Sequence, residues 1–326
     1  MRIAGGKINH YIKPMLATAT DKPFDSDDWL FELKLDGYRA IAEMGKQKFL
    51  LYSRNGLDLG LVYPAVVAAL NKMKINGVLD GEIVVLNKEG KPDFQELQNY
   101  TGNGNFPVVY YVFDILSLKN HDLTDLPLLE RKKFLKKLLK RSSVIRYCDH
   151  VLNDGKNFYN EVKKSKLEGI IAKKKDSLYH PGVRTKEWLK IKYNRSQEAV
   201  IVGYTEPKGS RSHFGSLILA QYKKNRLQYI GHTGTGFNDK TLRELMGKMK
   251  KLVTARSPLS PVPRANGPVT WIKPVLVCEV KFTEITNEGI LRHPVYKGLR
   301  QDKNSKAVRE ETQKELPVNT LVHSSK

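Results

Sequence analysis

Hydrophobic and polar positions alternate along residues 29–54, the two-residue period of half-buried strands, and the dipeptide Asp36-Gly37 interrupts them with a turn signal. The pattern predicts two strands around that turn. Residues 1–26 read as an extended lead-in, because Pro14 and Pro23 break any helix. Val66, Val67, Leu70 and Met73 recur at helical spacing and predict a short helix over residues 63–73. Residues 78–86 read as a strand pair interrupted by Asp80 and Glu82, residues 93–100 as a helix, and residues 108–116 as a buried strand that contains Asp114. Residues 128–141 predict an amphipathic helix with Leu128, Leu135, Leu138 and Leu139 inward and a solvated, Lys/Arg-rich outer face.

The texture changes near Tyr193. Short strands follow over residues 198–204, 216–223 and 226–231, then one helix over 239–251 with Asp239 as its cap, a Pro-rich connection over 257–268 and a strand over 275–284. Several short strands with one helix suit a small closed barrel of the oligonucleotide-binding (OB) type. The glycine-rich run His232–Phe237 lacks the Gly-Lys-Ser/Thr of a P-loop and reads as a turn. The expected architecture is α+β. A first domain of antiparallel sheets and flanking helices spans 1–194, an OB-fold β-barrel spans 195–316, and a flexible tail spans 317–326.

Composition narrows the class. With 326 residues, 40% of them hydrophobic, the chain suits about two domains with real cores. No apolar run approaches the roughly 20 residues that span a bilayer, and the N-terminus does not read as a signal peptide. Cys148 and Cys278 form no Cys-x-x-Cys pair, which argues against a zinc cluster and for ordinary core residues in a reducing cytoplasm. The formal net charge of +22 implies a polyanionic partner, nucleic acid first. Both halves carry the excess, 33 Lys+Arg against 23 Asp+Glu in residues 1–194 and 23 against 11 in the rest, so both would face the anion.

The candidate chemistry begins at Lys34, at the mouth of the turn in Phe31-Glu32-Leu33-Lys34-Leu35-Asp36-Gly37-Tyr38-Arg39. Lysine is an amine nucleophile when its surroundings keep part of it neutral; the plainer reading is a surface lysine beside a hairpin. Asp80, Glu82, Asp114 and Glu168 place carboxylates in or at the start of apolar strands, where an unpaired charge is costly. Each needs an internal Lys or Arg, a ligand hydroxyl or a metal. Lys190 and Lys192 lie two apart and so share one strand face, which suits a phosphate. Singly, these are salt bridges or an exposed sheet face. Together they suggest a nucleotide cleft, with carboxylates for ribose or Mg²⁺, lysines for phosphates and Phe113 to stack on a base.

The order of these segments resembles the nucleotidyltransferase motifs of ATP-dependent DNA ligases. Lys34-Leu35-Asp36-Gly37 with Arg39 is followed by Ser53-Arg54-Asn55-Gly56, Asp80-Gly81-Glu82, Tyr111-Val112-Phe113-Asp114, Glu168-Gly169-Ile170-Ile171-Ala172-Lys173, Trp188-Leu189-Lys190-Ile191-Lys192 and Leu299-Arg300-Gln301-Asp302-Lys303. The likeness runs from about Pro14 to Lys303. Pro14-Met15-Leu16-Ala17, Leu291-Arg292-His293-Pro294 and Gly298-Leu299-Arg300 look like the ligase module of bacterial ligase D, the end-joining ligase.

The resemblance implies roles for the matching residues. Lys34 attacks the α-phosphate of ATP to give lysyl-AMP. Glu32 lies at the adenine edge, Phe113 stacks on the base, and Arg54 and Glu82 hold the ribose region. Glu168, with Glu82, helps bind Mg²⁺ (or Mn²⁺). Lys190 and Lys192 contact the α-phosphate, with cations around Lys34 disfavouring its charged form. Arg39 meets the nucleotide or a DNA 5′-phosphate, and Arg300, Asp302 and Lys303 close over ATP and orient the leaving pyrophosphate. The implied partner is duplex DNA with nicks or ends, with a Ku-like end-binding protein and separate polymerase and phosphoesterase modules alongside, for a monomer in the bacterial cytoplasm at the nucleoid. The alternatives keep the fold and change the substrate, to an RNA ligase or mRNA-capping guanylyltransferase, or drop catalysis for DNA-end binding.

Overall fold

The turn at Asp36-Gly37 does not close a hairpin; it carries the chain from one sheet to another. In the computed structural model, which describes residues 11–45, 49–100, 102, 106–140, 142–193, 195–207, 209 and 212–309, the first half contains β1 (Leu16–Ala19), β2 (Ser26–Leu33), β3 (Tyr38–Met44), β4 (Phe49–Ser53), α1 (Pro64–Lys72), β5 (Gly77–Val85), α2 (Phe94–Gln98), β6 (Val108–Leu118), β7 (His121–Asp122), α3 (Leu128–Leu138), β8 (Ile145–Tyr147), β9 (His150–Asn153), α4 (Gly155–Lys164), β10 (Gly169–Lys174) and β11 (Arg184–Lys192). One sheet has the order β1-β11-β10-β2-β9 and the other β4-β3-β5-β6-β7, with β8 beside β6. β2 is interior to the first and β3 to the second. The expected hairpin partner of β3 is instead β4, and the expected strand pair around Asp80 and Glu82 is the single strand β5.

Three apolar layers order these sheets. Met15, Phe113, Val84, Val109 and Trp188 fill the space between them. The helices α1 and α2 bury Val66, Leu70, Phe94 and Leu97 on the outer face of the second sheet. Beneath the first sheet, Val162 of α4 packs on Phe31, Ile170, Leu189 and Ile191. A short side-chain period on each strand therefore leaves one polar face of the first sheet directed at the groove between the sheets.

The second half contains β12 (Ser196–Thr205), β13 (Leu217–Lys223), β14 (Arg226–Thr233), α5 (Asp239–Met249), β15 (Val269–Lys281), β16 (Glu284–Ile285), β17 (Leu291–Arg292) and β18 (Val295–Leu299). The antiparallel order β14-β13-β12-β15-β18 is curled back on itself by a bridge between Thr235 and Val295, as an OB barrel requires. Helix α5 buries Leu242, Leu245, Met246 and Met249 in this core, each such side chain stabilising by roughly 1.5–3 kcal/mol. Its cap is Asn238, whose side chain accepts from the Thr241 N–H at 2.9 Å; Asp239, the expected cap, is the first helical residue. Cys148 and Cys278 are buried thiols, as expected. The expected tail over 317–326 lies outside the described residues. Among the described residues, no helix is long and apolar enough to cross a membrane.

The barrel docks on the first half through α2. Gln95 and Gln98, three apart on one helix face, donate side-chain hydrogen bonds to the carbonyl oxygens of Lys297 and Leu299 on the edge strand β18. Gly298 lies between those acceptors, and a Cβ there would collide with the Gln98 side chain.

Candidate active site

Lys34 follows β2 at the point where the chain leaves the first sheet. Its backbone N–H donates to the Gly169 carbonyl at 2.9 Å, continuing the β2–β10 ladder by one bond. The turn after it runs so close to β5 that a Cβ on Gly37 would strike the Ile83 carbonyl. Gly169 has φ +150° and equally little room, against the Ile191 carbonyl. Glu168 is thereby set opposite Lys34, and the Lys34 Nζ donates to Glu168 Oε1 at 2.6 Å. Lys190 and Lys192, the cations expected near Lys34, line the same cleft, but the ion-pair partner of Lys34 is a carboxylate.

Strand β11 supplies the cationic wall. Arg184, Lys186, Trp188, Lys190 and Lys192 occupy alternate positions and all line the same cleft, while Leu189 and Ile191 point into the apolar layer. The shared face expected for Lys190 and Lys192 is present. Lys192 Nζ also donates to the Ser196 carbonyl at 2.9 Å, at the passage into the barrel.

Several carboxylates that looked available for a ligand are satisfied internally. Arg39 holds Asp80 through two 2.6 Å bonds and Tyr179 adds a third at 2.6 Å. Arg131 holds Asp114 at 2.8 and 3.0 Å, both side chains fully buried. Glu32 is buried between Lys132, which donates to Oε1, and Lys173, 2.7 Å from Oε2. The helix α3 is the source of the correction. Leu128, Arg131, Lys132 and Leu135 form one buried face, so two of the cations expected on its outer surface are instead the counter-ions of the core. A hydrophobicity pattern alone misses them, because it assigns charged positions to solvent.

These pairs still shape the cleft. Lys173 Nζ stands 4.2 Å from the Phe113 ring centre and 4.0 Å from that of Trp188, and the Arg39 guanidinium lies 4.7 Å from Phe113. Phe113 lines the cleft as expected, flanked by two cations and met edge-on by Trp188. Lys173 and Trp188 belong to motifs already singled out, but only the packing shows them facing the cavity.

The barrel contributes the opposite wall. Arg300 forms a two-point pair with Asp302 at 2.9 Å and contacts Glu279 at 3.1 Å, and Lys303 pairs with Glu198 at 2.7 Å. Ser196 donates to the other Glu279 oxygen at 2.8 Å. Lys297 Nζ reaches across to Asp36 Oδ2 at 2.6 Å. The cleft between the walls has a volume of about 610 Å³ and is lined by Lys34, Glu32, Arg39, Arg54, Glu82, Phe113, Glu168, Lys190, Lys192, Arg300, Asp302 and Lys303, so one cavity unites every residue to which the resemblance gives a role, while Asp80 and Asp114 lie outside it.

Three carboxylates, Asp36, Glu168 and Glu279, each offer an oxygen, and these oxygens lie within 4.8 Å of one another. The cluster includes the expected Glu168; Glu82 stands outside it, while Asp36 and Glu279 were not anticipated. Glu168 Oε2 is buried without a hydrogen-bond partner among the described residues. Burial, then Glu168 and Glu279, pushes the Asp36 carboxyl up. Burial opposes ionisation of Glu279 as well, but Lys297, Lys192 and Arg300 outweigh it and hold Glu279 well below the usual range. Glu82 is pushed up to about 7, by burial first.

Comparison with known proteins agrees with this geometry. Residues 14–192 match the ATP dependent DNA ligase domain, and residues 210–303 the ATP dependent DNA ligase C terminal region. The multifunctional non-homologous end joining protein LigD of Pseudomonas aeruginosa is 38% identical over 316 residues, covering 94% of this chain and 37% of that protein. LigD of Mycolicibacterium smegmatis is 37% identical, covering 89% and 38%. This chain thus spans less than two-fifths of the length of these relatives. A solved structure of mycobacterial DNA ligase D complexed with ATP and MES is 35% identical, with a TM-score of 0.68 over 91% of this chain and 97% of that one. Its fold is therefore an adenylation domain followed by an OB-fold region, and the chain belongs to the ATP-dependent DNA ligases.

Proposed function

We propose that this chain seals 5′-phosphate/3′-hydroxyl breaks in duplex DNA through lysyl-AMP and DNA-adenylate intermediates, in double-strand break repair by end joining. The observation that carries this reading is the position of Lys34. It is fixed at a strand crossover, with Lys190 and Lys192 on one wall and Arg300 and Lys303 on the other. Lys34 Nζ forms a bond to the α-phosphorus of ATP as the bond to the bridging oxygen breaks. Its electron pair leaves on pyrophosphate, and the amine gives up a proton to solvent. Lys190, Lys192 and Arg300 offset the charge on the transferring group. AMP then passes to a DNA 5′-phosphate, and a 3′-hydroxyl displaces it. We take 1–194 as the adenylation domain and 195–316 as the barrel, in keeping with the passage from β11 to β12.

Within the cleft, Phe113 offers a stacking face, with Lys173 and Arg39 setting its orientation. Glu32 stands at the adenine edge with its carboxylate already held by two lysines. Arg54 and Glu82 face the ribose region. The oxygen donors of Asp36, Glu168 and Glu279, one of them buried and unpaired, suit a hard divalent ion such as Mg²⁺ or Mn²⁺. Such an ion supplies positive charge against the triphosphate. The +22 charge fits a protein that tracks DNA phosphates. We place it in the bacterial cytoplasm at the nucleoid, as a monomer working with a Ku-like end-binding protein and polymerase and phosphoesterase modules.

The test is covalent labelling with α-labelled ATP or GTP and Mg²⁺, followed by sealing of nicked, cohesive and blunt substrates. An ATP adduct that chases into sealed DNA is expected. An adduct with GTP alone, or full sealing by Lys34→Ala, overturns the reading.

A further inference from the structure

Two buried titratable groups, Asp80 and Tyr179, stand behind the cleft without lining it. Asp80 belongs to β5. Tyr179 lies in the connection between β10 and β11, in none of the segments singled out from sequence. A closed ring of hydrogen bonds joins them to Arg39, which does line the cleft. The Tyr179 hydroxyl donates to Asp80 Oδ2 at 2.6 Å and accepts from the Met15 N–H at 3.1 Å. Arg39 Nε and Nη2 donate to the two Asp80 oxygens at 2.6 Å, and Nη2 also donates to the Met15 carbonyl at 3.2 Å. Both backbone polar groups of Met15 are therefore clamped, one by Tyr179 and one by Arg39.

The ring spans both sheets of the first half. Arg39 and Asp80 sit on β3 and β5, neighbours in one sheet, while Met15 leads into β1 and Tyr179 into β11, neighbours in the other. A tyrosine hydroxyl carries one proton and can also accept, and both capacities are used here. Burial, then Asp80, pushes the Tyr179 hydroxyl well up, so it stays a donor. Its ring meets Trp188 edge-on at 5.8 Å, a packing contact that does not involve the hydroxyl. Held in this way, the Arg39 guanidinium stands 4.7 Å from the Phe113 ring centre and 5.8 Å from that of Trp188. Among the described residues Arg39 Nη1 makes no hydrogen bond, and it is the donor left for an anion in the cleft.

We propose that Tyr179 is a positioning residue: its hydroxyl, through Asp80 and the Met15 backbone, fixes the Arg39 fork so that Nη1 meets a phosphate oxygen in the cleft. The proposal rests on the function given above, which supplies two such oxygens, one on the nucleotide and one on the DNA 5′ end. It follows from the closure of the ring. Without the hydroxyl, Asp80 keeps only Arg39, the Met15 N–H loses its acceptor, and the segment that enters β1 is tied to the second sheet by one 3.2 Å bond instead of a clamp. The guanidinium then retains its charge but not its fixed plane, and a two-point fork owes its directional strength to that plane.

The test is a double-mutant cycle on the full chain with Tyr179→Phe, Arg39→Ala and both together. Tyr179→Phe removes the hydroxyl and keeps the ring packed on Trp188. Two single-turnover rates are read, lysyl-AMP formation from ATP and AMP transfer from preformed lysyl-AMP to nicked DNA, each well below the variant's denaturation midpoint so that the protein is folded. The expected result is that Tyr179→Phe slows at least one step by fivefold or more in the parent and by less than twofold in the Arg39→Ala background. Slowing of the first step places Arg39 on the nucleotide and slowing of the second places it on the DNA end; either supports the proposal when it vanishes without Arg39. Equal slowing in both backgrounds overturns it, because a hydroxyl that serves only folding acts whether or not Arg39 is present. An unchanged rate in the parent background overturns it as well. If Arg39→Ala does not fold, Arg39→Lys, which keeps a charge beside Asp80 but has no fork, takes its place in the cycle. Failure of the parent protein to form lysyl-AMP would remove the underlying function itself, so the two failures are distinguishable.

Discussion

Lys297 of the barrel lies 2.6 Å from Asp36, two residues beyond Lys34. One ion pair thus ties the edge strand β18 to the turn that follows Lys34. Both groups are largely shielded, so removing one of them leaves the other without its counter-charge away from water. Docking also places Arg300 and Lys303 in the cleft. Lys297→Ala is expected to slow lysyl-AMP formation by about tenfold, the equivalent of about 1.4 kcal/mol, while sealing of a pre-adenylated nick changes little. Single-turnover labelling and sealing measured on the same preparation separate the two. Equal loss in both would mean that the pair serves folding rather than docking.

Glu82 gives a pH signature. Its carboxyl is pushed up to about 7 by burial, with Glu168 adding to the shift and Lys34, Arg39 and Arg300 opposing it. Unfolded, it titrates near 4.5. The folded state holds the proton more tightly, so the associated stability is full below about 4.5 and is lost as pH rises through about 7. Glu82→Gln is expected to remove that loss, stabilising the protein above pH 7 by no more than about 3 kcal/mol. Urea melts between pH 5 and 8 test this. Parallel curves for parent and variant would contradict it.

Glu32, Lys132 and Lys173 make a different prediction, because each is buried. Lys132→Met leaves the Glu32 carboxylate with one ion partner, and breaking a buried pair costs about 3–5 kcal/mol. The midpoint of chemical denaturation is expected to fall accordingly, and Lys132→Met/Glu32→Gln to recover part of it. A midpoint within error of the parent would show that this network is not a core element.

The difference between these residues and Lys34 shows what sequence reveals. Lys34, Glu168, Lys190 and Arg300 were legible because their motifs occur in a fixed order and each lies at a strand end or on an alternating face. The barrel was legible from its short strands and single helix. Arg131 and Lys132 were not, since their partners Asp114 and Glu32 are 17 and 100 residues away and only packing brings them together. The path of the chain at Asp36-Gly37 was also hidden. A turn dipeptide marks a change of direction but not which strands pair on either side of it. Asp36 and Glu279 entered the carboxylate cluster for the same reason, one from each domain.

The docking of α2 on β18 supplies the last prediction. Gln95 and Gln98 bond the carbonyls on either side of Gly298, and the glycine permits the approach because any side chain there meets Gln98. Gly298→Val therefore pushes the Gln98 amide off the Leu299 carbonyl and loosens the docked arrangement while leaving the buried core of the barrel untouched. On the proposed function, the cleft of about 610 Å³ suits a nucleotide rather than a duplex, so docking would serve the step with ATP and undocking the step with DNA. Gly298→Val is expected to cut ATP-dependent lysyl-AMP formation by at least tenfold and to retain sealing of pre-adenylated nicks. Gln98→Ala, which removes one bond without adding bulk, is expected to show a smaller loss in the same step alone. Melting curves for both variants test whether the barrel stays folded. If Gly298→Val formed lysyl-AMP at the parent rate, the α2–β18 contact would have no part in adenylylation.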